Sequence, residues 1–178
     1  MGKGKKSQLT GNKTYAASLI LPNLYLGPAS SAESSHFLTD EGVTHVLSVG
    51  KNAPQTFPNI KYLKLPLLDN DSASLLPAIE STIASIDGIC NTGTILIHCS
   101  AGISRSPSVV AGYLMRSKRI TLHEALGMIV RVRPQVSPNP NFLSQLKDME
   151  MRLFGSASVT VDSLPSRKED KEAMFGSI

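Results

Sequence analysis

The hydrophobic pattern of the chain divides into two repeating types. Short apolar runs, which predict strands, are separated by longer stretches with apolar residues at every third or fourth position, which predict helices. The predicted strands are a pair within 18–27, broken at Pro22 and Asn23, followed by 43–50, 60–67 and 94–99. The predicted helices are 30–42, a helix from Ser74 to about Gly88, 106–118, 121–132 and 137–154.

Residues with known preferences for helix ends support several of these boundaries. Gly42 stands where a left-handed residue closes a helix, and Pro107 where a first helical residue needs no amide hydrogen. Thr121 and Glu124 have the spacing of a capping box, and Asn139 is followed by proline, so that it is a predicted N-cap.

The order of the elements predicts the fold class. Apolar strands alternate with helices from residue 60 to residue 118, as in β-α-β units. We therefore expect an α/β fold with a twisted, mostly parallel central sheet of about five strands and helices on both faces. Ligands of such folds bind outside the carboxyl ends of the strands.

The length and composition fit one domain with two tails. The chain has 178 residues, of which 41% are hydrophobic and 18% charged, as in globular proteins. We assign 16–155 to the domain, 1–15 to a flexible basic tail and 156–178 to a mobile C-terminal tail without helical periodicity.

Charge and cysteine content exclude some classes of protein. No apolar run approaches the roughly 18 residues of a membrane helix, so we expect no integral membrane contact. The net charge is +4, but lysines at the N-terminus supply much of it and aromatic residues are only 5%, which disfavours nucleic acid as a partner. Two cysteines and no apolar leader at the N-terminus lead us to expect a reducing location, the cytoplasm, with the nucleus as a further compartment.

One segment carries a recognisable chemical pattern, "HCSAGISRS" at 98–106. A buried strand ends at Cys99, and Arg105 stands just before the next helix, so the residues between them form a tight loop. The backbone amides of such a loop bind an anion, and Gly102 permits the positive φ that the turn needs. The Arg105 guanidinium adds a planar fork that fits two oxygens of a phosphate.

Cys99 is the candidate nucleophile of this loop. Amide dipoles, a helix N-terminus and a cation all favour the thiolate, so the pKa of Cys99 should fall below that of a free thiol. We predict an anion site formed by Cys99, Ser100, Ala101, Gly102, Ile103, Ser104 and Arg105, able to bind phosphate, sulfate, vanadate or tungstate.

The motif resembles the signature loop of cysteine-based protein tyrosine phosphatases, and "AGISRS" is the wording of their dual-specificity branch. The similarity extends through "LILPNLYLGPASSA", "GVTHVLSVG", "YLKLPLLD" and "RPQVSPNPNFLSQL". The resemblance implies a phosphatase-like fold and a two-step reaction through a cysteinyl-phosphate.

Further residue roles follow only from this resemblance. The family places its general acid directly after the strand that precedes the long helix, which selects Asp69, with Asp71 as the alternative. Ser106 would donate a hydrogen bond to the Cys99 sulfur. His98 and Asn139 would stabilise the surrounding loops.

The leading hypothesis is therefore a metal-independent phosphatase acting on phosphotyrosine, and also on phosphoserine or phosphothreonine, in phosphorylated protein substrates. A catalytically silent phosphoprotein-binding module is the alternative. A rhodanese-like sulfur transferase is disfavoured, since its loop has four residues between the two functional positions, whereas five separate Cys99 from Arg105.

Other reactive residues receive structural interpretations. Cys90 is placed on the loop before the last strand, too far from Cys99 for a disulfide, and the remaining histidines lack metal-ligand spacing. Arg131 and Arg133 are interpreted as a solvated helix end, with a position facing the substrate cleft as the alternative. We expect no cofactor and no metal.

Overall fold

The computed structural model describes residues 15–176. Its strands are β1 (Ser18–Leu21), β2 (Leu24–Gly27), β3 (Val43–Val49), β4 (Lys61–Leu65) and β5 (Thr94–His98). Its helices are α1 (Ala29–Glu33), α2 (Ser35–Asp40), α3 (Leu75–Thr92), α4 (Arg105–Lys118), α5 (Leu122–Val132), α6 (Pro140–Phe154) and α7 (Lys168–Phe175).

The strands form one sheet in the order β1-β2-β5-β3-β4. β2, β5, β3 and β4 are mutually parallel, and only β1 runs antiparallel, as the first arm of a hairpin with β2. The hairpin turns at Pro22 and Asn23, where Asn23 has a left-handed φ of 68°. The predicted α/β fold with a mostly parallel five-stranded sheet is confirmed.

The central strand β5 explains the layering of the domain. All five of its residues are buried, as expected for a parallel strand covered on both faces. Ile95 and Ile97 belong to the larger core with α3, α4, α5 and α6, whereas Leu96 points into a smaller core with Phe37 of α2. Helices therefore cover both faces, and β5 leads from the middle of the molecule to the carboxyl edge.

Three helix boundaries differ from the sequence prediction. The helix predicted at 30–42 is broken at Ser34, which has an extended backbone and accepts the Phe37 N–H as the N-cap of α2. α3 continues past Gly88 to Thr92, because Ile89 packs into the core and Gly93 ends the helix instead. α4 begins at Arg105, so Pro107 is its third residue, where an amide hydrogen would still lack an intrahelical acceptor.

The C-terminal segment also differs from the expectation. We expected 156–178 to be mobile and without helical periodicity, although 159–164 could dock on the domain. Instead 168–175 form α7, and Phe175 is buried in the main core, as are Val159 and Leu164 of the segment that could dock. Eight residues were too short a stretch, with too few apolar positions, to show helical periodicity. The predicted basic tail at 1–15 lies outside the described residues except for Tyr15, whose ring packs edge-on against Phe37.

The capping predictions agree with the structure. Thr121 and Glu124 form the reciprocal capping box of α5, and the Asn139 side chain accepts the Phe142 N–H at the start of α6. Within 15–176, no helix combines the length and the hydropathy needed to cross a bilayer.

Candidate active site

The candidate site lies at the carboxyl edge of the sheet, where the four parallel strands end together. The loop between β5 and α4, residues 99–104, is called here the phosphate loop. Its first residue, Cys99, has only 3% of its surface exposed. The loop is held against the β2 end by a hydrogen bond from the Ala29 N–H to the Ser100 carbonyl, 3.1 Å long.

The Cys99 sulfur is surrounded by hydrogen-bond donors. The Gly102 N–H donates to Cys99 Sγ over 3.3 Å, and Ser106 Oγ donates to it over 3.2 Å. Burial raises the pKa of the thiol, but the Ser106 hydroxyl and the N–H groups of Ser106, Gly102 and Ile103 lower it further than burial raises it. The pKa of Cys99 therefore lies below its ordinary value, which makes the thiolate available as a nucleophile.

The conformation of the phosphate loop depends on a glycine. Gly102 has a φ of 66°, as the sequence predicted. A side chain there would be strained and would also stand 2.6 Å from the Gly27 carbonyl oxygen and 2.7 Å from Arg133 Nη2. Only glycine therefore fits both the turn and its close packing.

Arg133 corrects our sequence interpretation. The sequence suggested that Arg133 belongs to a solvated helix end. In the structure its surface is only 3% exposed, and its side chain lies beneath the phosphate loop. Its guanidinium donates to the carbonyls of Gly102 (2.8 Å), Ala101 (3.0 Å) and Ala16 (2.7 Å). A buried guanidinium needs such acceptors, and the loop supplies two of them.

These contacts orient the peptide groups of the loop. The Ser137 N–H donates to the Ile103 carbonyl at 2.8 Å, so Arg133 and Ser137 together bind three consecutive carbonyls, those of 101, 102 and 103. In a trans peptide the following N–H points the opposite way. Residues 102, 103 and 104 therefore turn their N–H groups away from Arg133 and Ser137, and those of Gly102 and Ile103 bind the Cys99 sulfur.

Arg105 places its guanidinium beside the phosphate loop, where it can bind an anion. Its Nη2 donates to Ser100 Oγ at 2.9 Å, while Nε is buried and has no hydrogen-bond partner among residues 15–176. Gly50, which follows β3, lets the guanidinium approach the sheet edge. A Cβ on Gly50 would lie 2.2 Å from Arg105 Nη1, and its φ of 88° disfavours any side chain.

Asp69 reaches the site, supported by a small polar network. Its Oδ1 accepts hydrogen bonds from Ser104 Oγ (2.8 Å) and Asn139 Nδ2 (2.7 Å), and its Oδ2 lies 3.6 Å from Arg105 Nε. Ser104 Oγ also accepts the Asn139 N–H at 3.1 Å. The structure thus brings Asp69 to the phosphate loop through its hydrogen bond with Ser104; Asp69 and Asp71 are both exposed.

His98 lies beneath the loop as a neutral structural group. Its side chain is fully buried, with Nδ1 3.1 Å from the Cys99 carbonyl and Nε2 2.8 Å from Ser48 Oγ. Burial lowers the pKa of His98, so the neutral ring donates through Nδ1 and accepts from Ser48. Ser48 Oγ in turn accepts the Ala53 N–H at 3.1 Å, which fixes the segment after β3.

Sequence reasoning missed four contributors, Gly50, Arg133, Ser137 and Ser48. Each of them contacts a residue that is more than 30 positions away in the sequence, so no local sequence pattern indicates the contact. Gly50 alone carried a usable signal, a glycine at the carboxyl end of a predicted strand.

Cys90 is remote from this site and belongs to the last turn of α3, not to the loop where the sequence placed it. Both cysteines are free thiols. Within the part of the chain that the structure describes, no cluster of three histidine, cysteine or carboxylate side chains could hold a metal ion.

Comparison with known proteins identifies the family. Residues 24–152 match the model of the dual specificity phosphatase catalytic domain. Human dual specificity protein phosphatase 1 is 38% identical over 137 residues, which is 76% of this chain and 37% of that protein. The chain therefore spans well under half of this relative's length.

Two crystal structures show the same fold. A variant of human DUSP28 aligns with a TM-score of 0.74 and 33% identity over 80% of this chain and 99% of the other. A mouse dual specificity phosphatase complexed with zinc tungstate aligns with a TM-score of 0.75 and 29% identity, covering 83% and 94%. With its domain, its phosphate loop and its sheet all matched, this chain belongs to the dual specificity phosphatase family.

Proposed function

We propose that the protein hydrolyses phosphate esters of tyrosine and of serine or threonine in proteins, through a cysteinyl-phosphate on Cys99. One observation carries the proposal. The Cys99 sulfur receives hydrogen bonds from Gly102 and Ser106 at the floor of a loop whose Arg105 Nε is buried without a hydrogen-bond partner among residues 15–176. A nucleophile and a guanidinium N–H that makes no hydrogen bond, although Asp69 Oδ2 lies 3.6 Å from it, thus share one small anion site.

In the first step the Cys99 thiolate attacks phosphorus. An S–P bond forms while the P–O bond to the substrate side chain breaks, and the leaving oxygen takes a proton from the Asp69 carboxylic acid. The loop N–H groups and the Arg105 guanidinium bind the three equatorial oxygens, whose charge they stabilise in the transition state.

In the second step water attacks the phosphorus of the cysteinyl-phosphate. The Asp69 carboxylate accepts the proton of the water, the S–P bond breaks, and phosphate leaves. Ser106 Oγ, 3.2 Å from the sulfur, donates to the departing thiolate and stabilises it. Asn139 and Ser104 keep Asp69 over the loop between the two steps.

The loops around the site support acceptance of short as well as long phosphorylated side chains. The segments that follow β3, β4 and β5 are 50–60, 66–74 and 99–104. None of them is a long insertion that would form a high wall around the cleft. Ile103 is 37% exposed within the phosphate loop, and Leu68 is 70% exposed beside Asp69. A shallow rim of this kind lets phosphoserine and phosphothreonine reach Cys99.

The test is turnover of para-nitrophenyl phosphate, followed by release of phosphate from matched peptides carrying phosphotyrosine or phosphothreonine. We expect both peptides to be hydrolysed by the wild type and neither by Cys99→Ser. Binding of the phosphopeptides without turnover by the wild type would overturn the proposal in favour of a binding module.

A further inference from the structure

Helix α7 lies outside the matched catalytic domain, 24–152, yet it is attached close to the phosphate loop. Phe175 is 3% exposed and lies against the His123 ring, with 5.3 Å between ring centroids. His123 Nε2 is 3.1 Å from the Met174 carbonyl oxygen, to which it donates. These contacts fix α7 to α5, the helix that ends next to Arg133.

Lys171 of α7 has an unusual environment for a lysine. It is 3% exposed, and its Nζ donates to two backbone carbonyls, those of Pro134 (3.0 Å) and Val136 (2.8 Å). An ammonium group is seldom buried unless its hydrogen bonds are satisfied. The two acceptors belong to the short segment between α5 and α6.

That segment is the one that orients the phosphate loop. Arg133 immediately precedes the first acceptor, and Ser137 immediately follows the second. Arg133 and Ser137 bind the carbonyls of 101, 102 and 103, which directs the following N–H groups toward Cys99. Lys171 thus binds the neighbours in sequence of both residues that support the phosphate loop, Pro134 next to Arg133 and Val136 next to Ser137.

We propose that Lys171 is a positioning residue for the phosphate loop: by binding Pro134 and Val136 it fixes 133–137 where Arg133 and Ser137 can hold the loop carbonyls. The inference rests on the proposed function in that it takes the loop to be an oxyanion site. On this proposal α7 contributes to the active site through Lys171, although α7 does not contact the substrate.

The test compares Lys171→Met with Lys168→Met. Both remove one charge from α7 and keep an apolar stem, but Lys168 is exposed and pairs with Glu172 at 3.5 Å. Two readouts are taken, the dissociation constant for tungstate and the pH dependence of Cys99 alkylation by iodoacetate. Neither requires turnover.

We expect Lys171→Met to weaken tungstate binding roughly tenfold, the size seen when a group supporting a ligand-binding residue is removed, and to raise the thiol pKa. Lys168→Met should match the wild type, and Lys171→Arg, which keeps the charge and the donors, should recover most of the affinity. If Lys171→Met matches the wild type in both readouts, the inference is wrong. Should the methionine variant not fold, Lys171→Gln is measured instead, with the same two outcomes.

A double-mutant cycle with Arg133→Met tests the route of the effect. If Lys171 acts through 133–137, its replacement should matter less once Arg133 is gone, so the two effects should be less than additive. Full additivity would contradict the inference. A wild-type protein that neither binds tungstate nor has an acidic Cys99 would instead contradict the proposed function.

Discussion

The two cysteines differ in the direction of their pKa shifts, although the region around each contains one acidic and one basic side chain. Asp69 and Arg105 contact Ser104 and Ser100 of the loop that begins at Cys99, and the charges of Asp87 and Lys118 act on Cys90. Burial raises the pKa of both thiols, and at Cys90 it prevails. At Cys99 the hydrogen bonds prevail, and the pKa falls.

The difference between the two sites lies in the direction of hydrogen bonding. Cys90 Sγ donates to the Asn23 carbonyl across 3.9 Å, which favours the protonated thiol. Cys99 Sγ only accepts, from the Ser106 hydroxyl and from loop N–H groups, which favours the thiolate. The charges of Asp87 and Lys118 do not bring the pKa of Cys90 below its ordinary value, whereas the donors directed at Cys99, the Ser106 hydroxyl first and then the N–H groups, do so for Cys99.

The largest expected effect comes from removing the Cys99 thiol. Cys99→Ser should lower turnover of para-nitrophenyl phosphate by about four to six orders of magnitude, because the covalent nucleophile is lost. Cys90→Ser, a change of the same size in α3, should leave kcat and KM within about twofold. Equal losses in the two variants would remove the distinction between the sites.

The next effect concerns the two acids of the loop after β4. Asp69→Asn should slow catalysis by roughly a hundredfold or more, since a general acid is lost, and more for phosphothreonine than for para-nitrophenyl phosphate, whose leaving group needs little protonation. The alkaline limb of the pH profile should disappear. Asp71→Asn is the control, and if it produces the loss instead, the acid role belongs to Asp71.

The hydroxyl group next to the sulfur should have a smaller effect. Ser106→Ala removes a hydrogen bond to a charged group, which should raise the Cys99 pKa and slow hydrolysis of the cysteinyl-phosphate about ten- to a hundredfold. Rapid-quench measurement of the intermediate shows whether it accumulates. Ser108→Ala, also buried in α4 but bonded to the Ser104 carbonyl, should not cause accumulation.

The smallest effect tests the cationic side of the site. Gly50→Ala places a methyl group 2.2 Å from Arg105 Nη1, so the guanidinium must shift, and tungstate affinity should fall about tenfold. Gly88→Ala in α3 has open space around its new methyl and serves as the control. Unchanged affinity in Gly50→Ala would show that Arg105 does not need its present position.

Local features of the fold and site could be predicted from sequence. The strand leading to Cys99, the turn at Gly102 and the caps at Thr121 and Asn139 depend on residues within a few positions of one another, so their spacing is visible in the chain. The position of Asp69 followed from the resemblance to the family, whose general acid comes directly after the strand that precedes the long helix.

Long-range features could not be predicted. Arg133 resembled any basic residue at a helix end, since nothing local shows that its acceptors lie 31 and 32 residues away in the phosphate loop. The role of Lys171, in a charged C-terminal segment, could not be recognised for the same reason, because its two acceptors are also distant in sequence. The helix around Cys90 was ended too early because glycine was given more weight than the core contact of Ile89.

The most direct measurement is the titration of the two thiols in the same folded protein, by the pH dependence of iodoacetate alkylation with each site read by peptide mapping. A lowered pKa means that Cys99 loses its proton first as pH rises, so Cys99 should be alkylated at lower pH than Cys90. Cys90 should react only at alkaline pH. If Cys99 instead titrates with Cys90 or above it, the loop does not stabilise a thiolate, and the account is wrong.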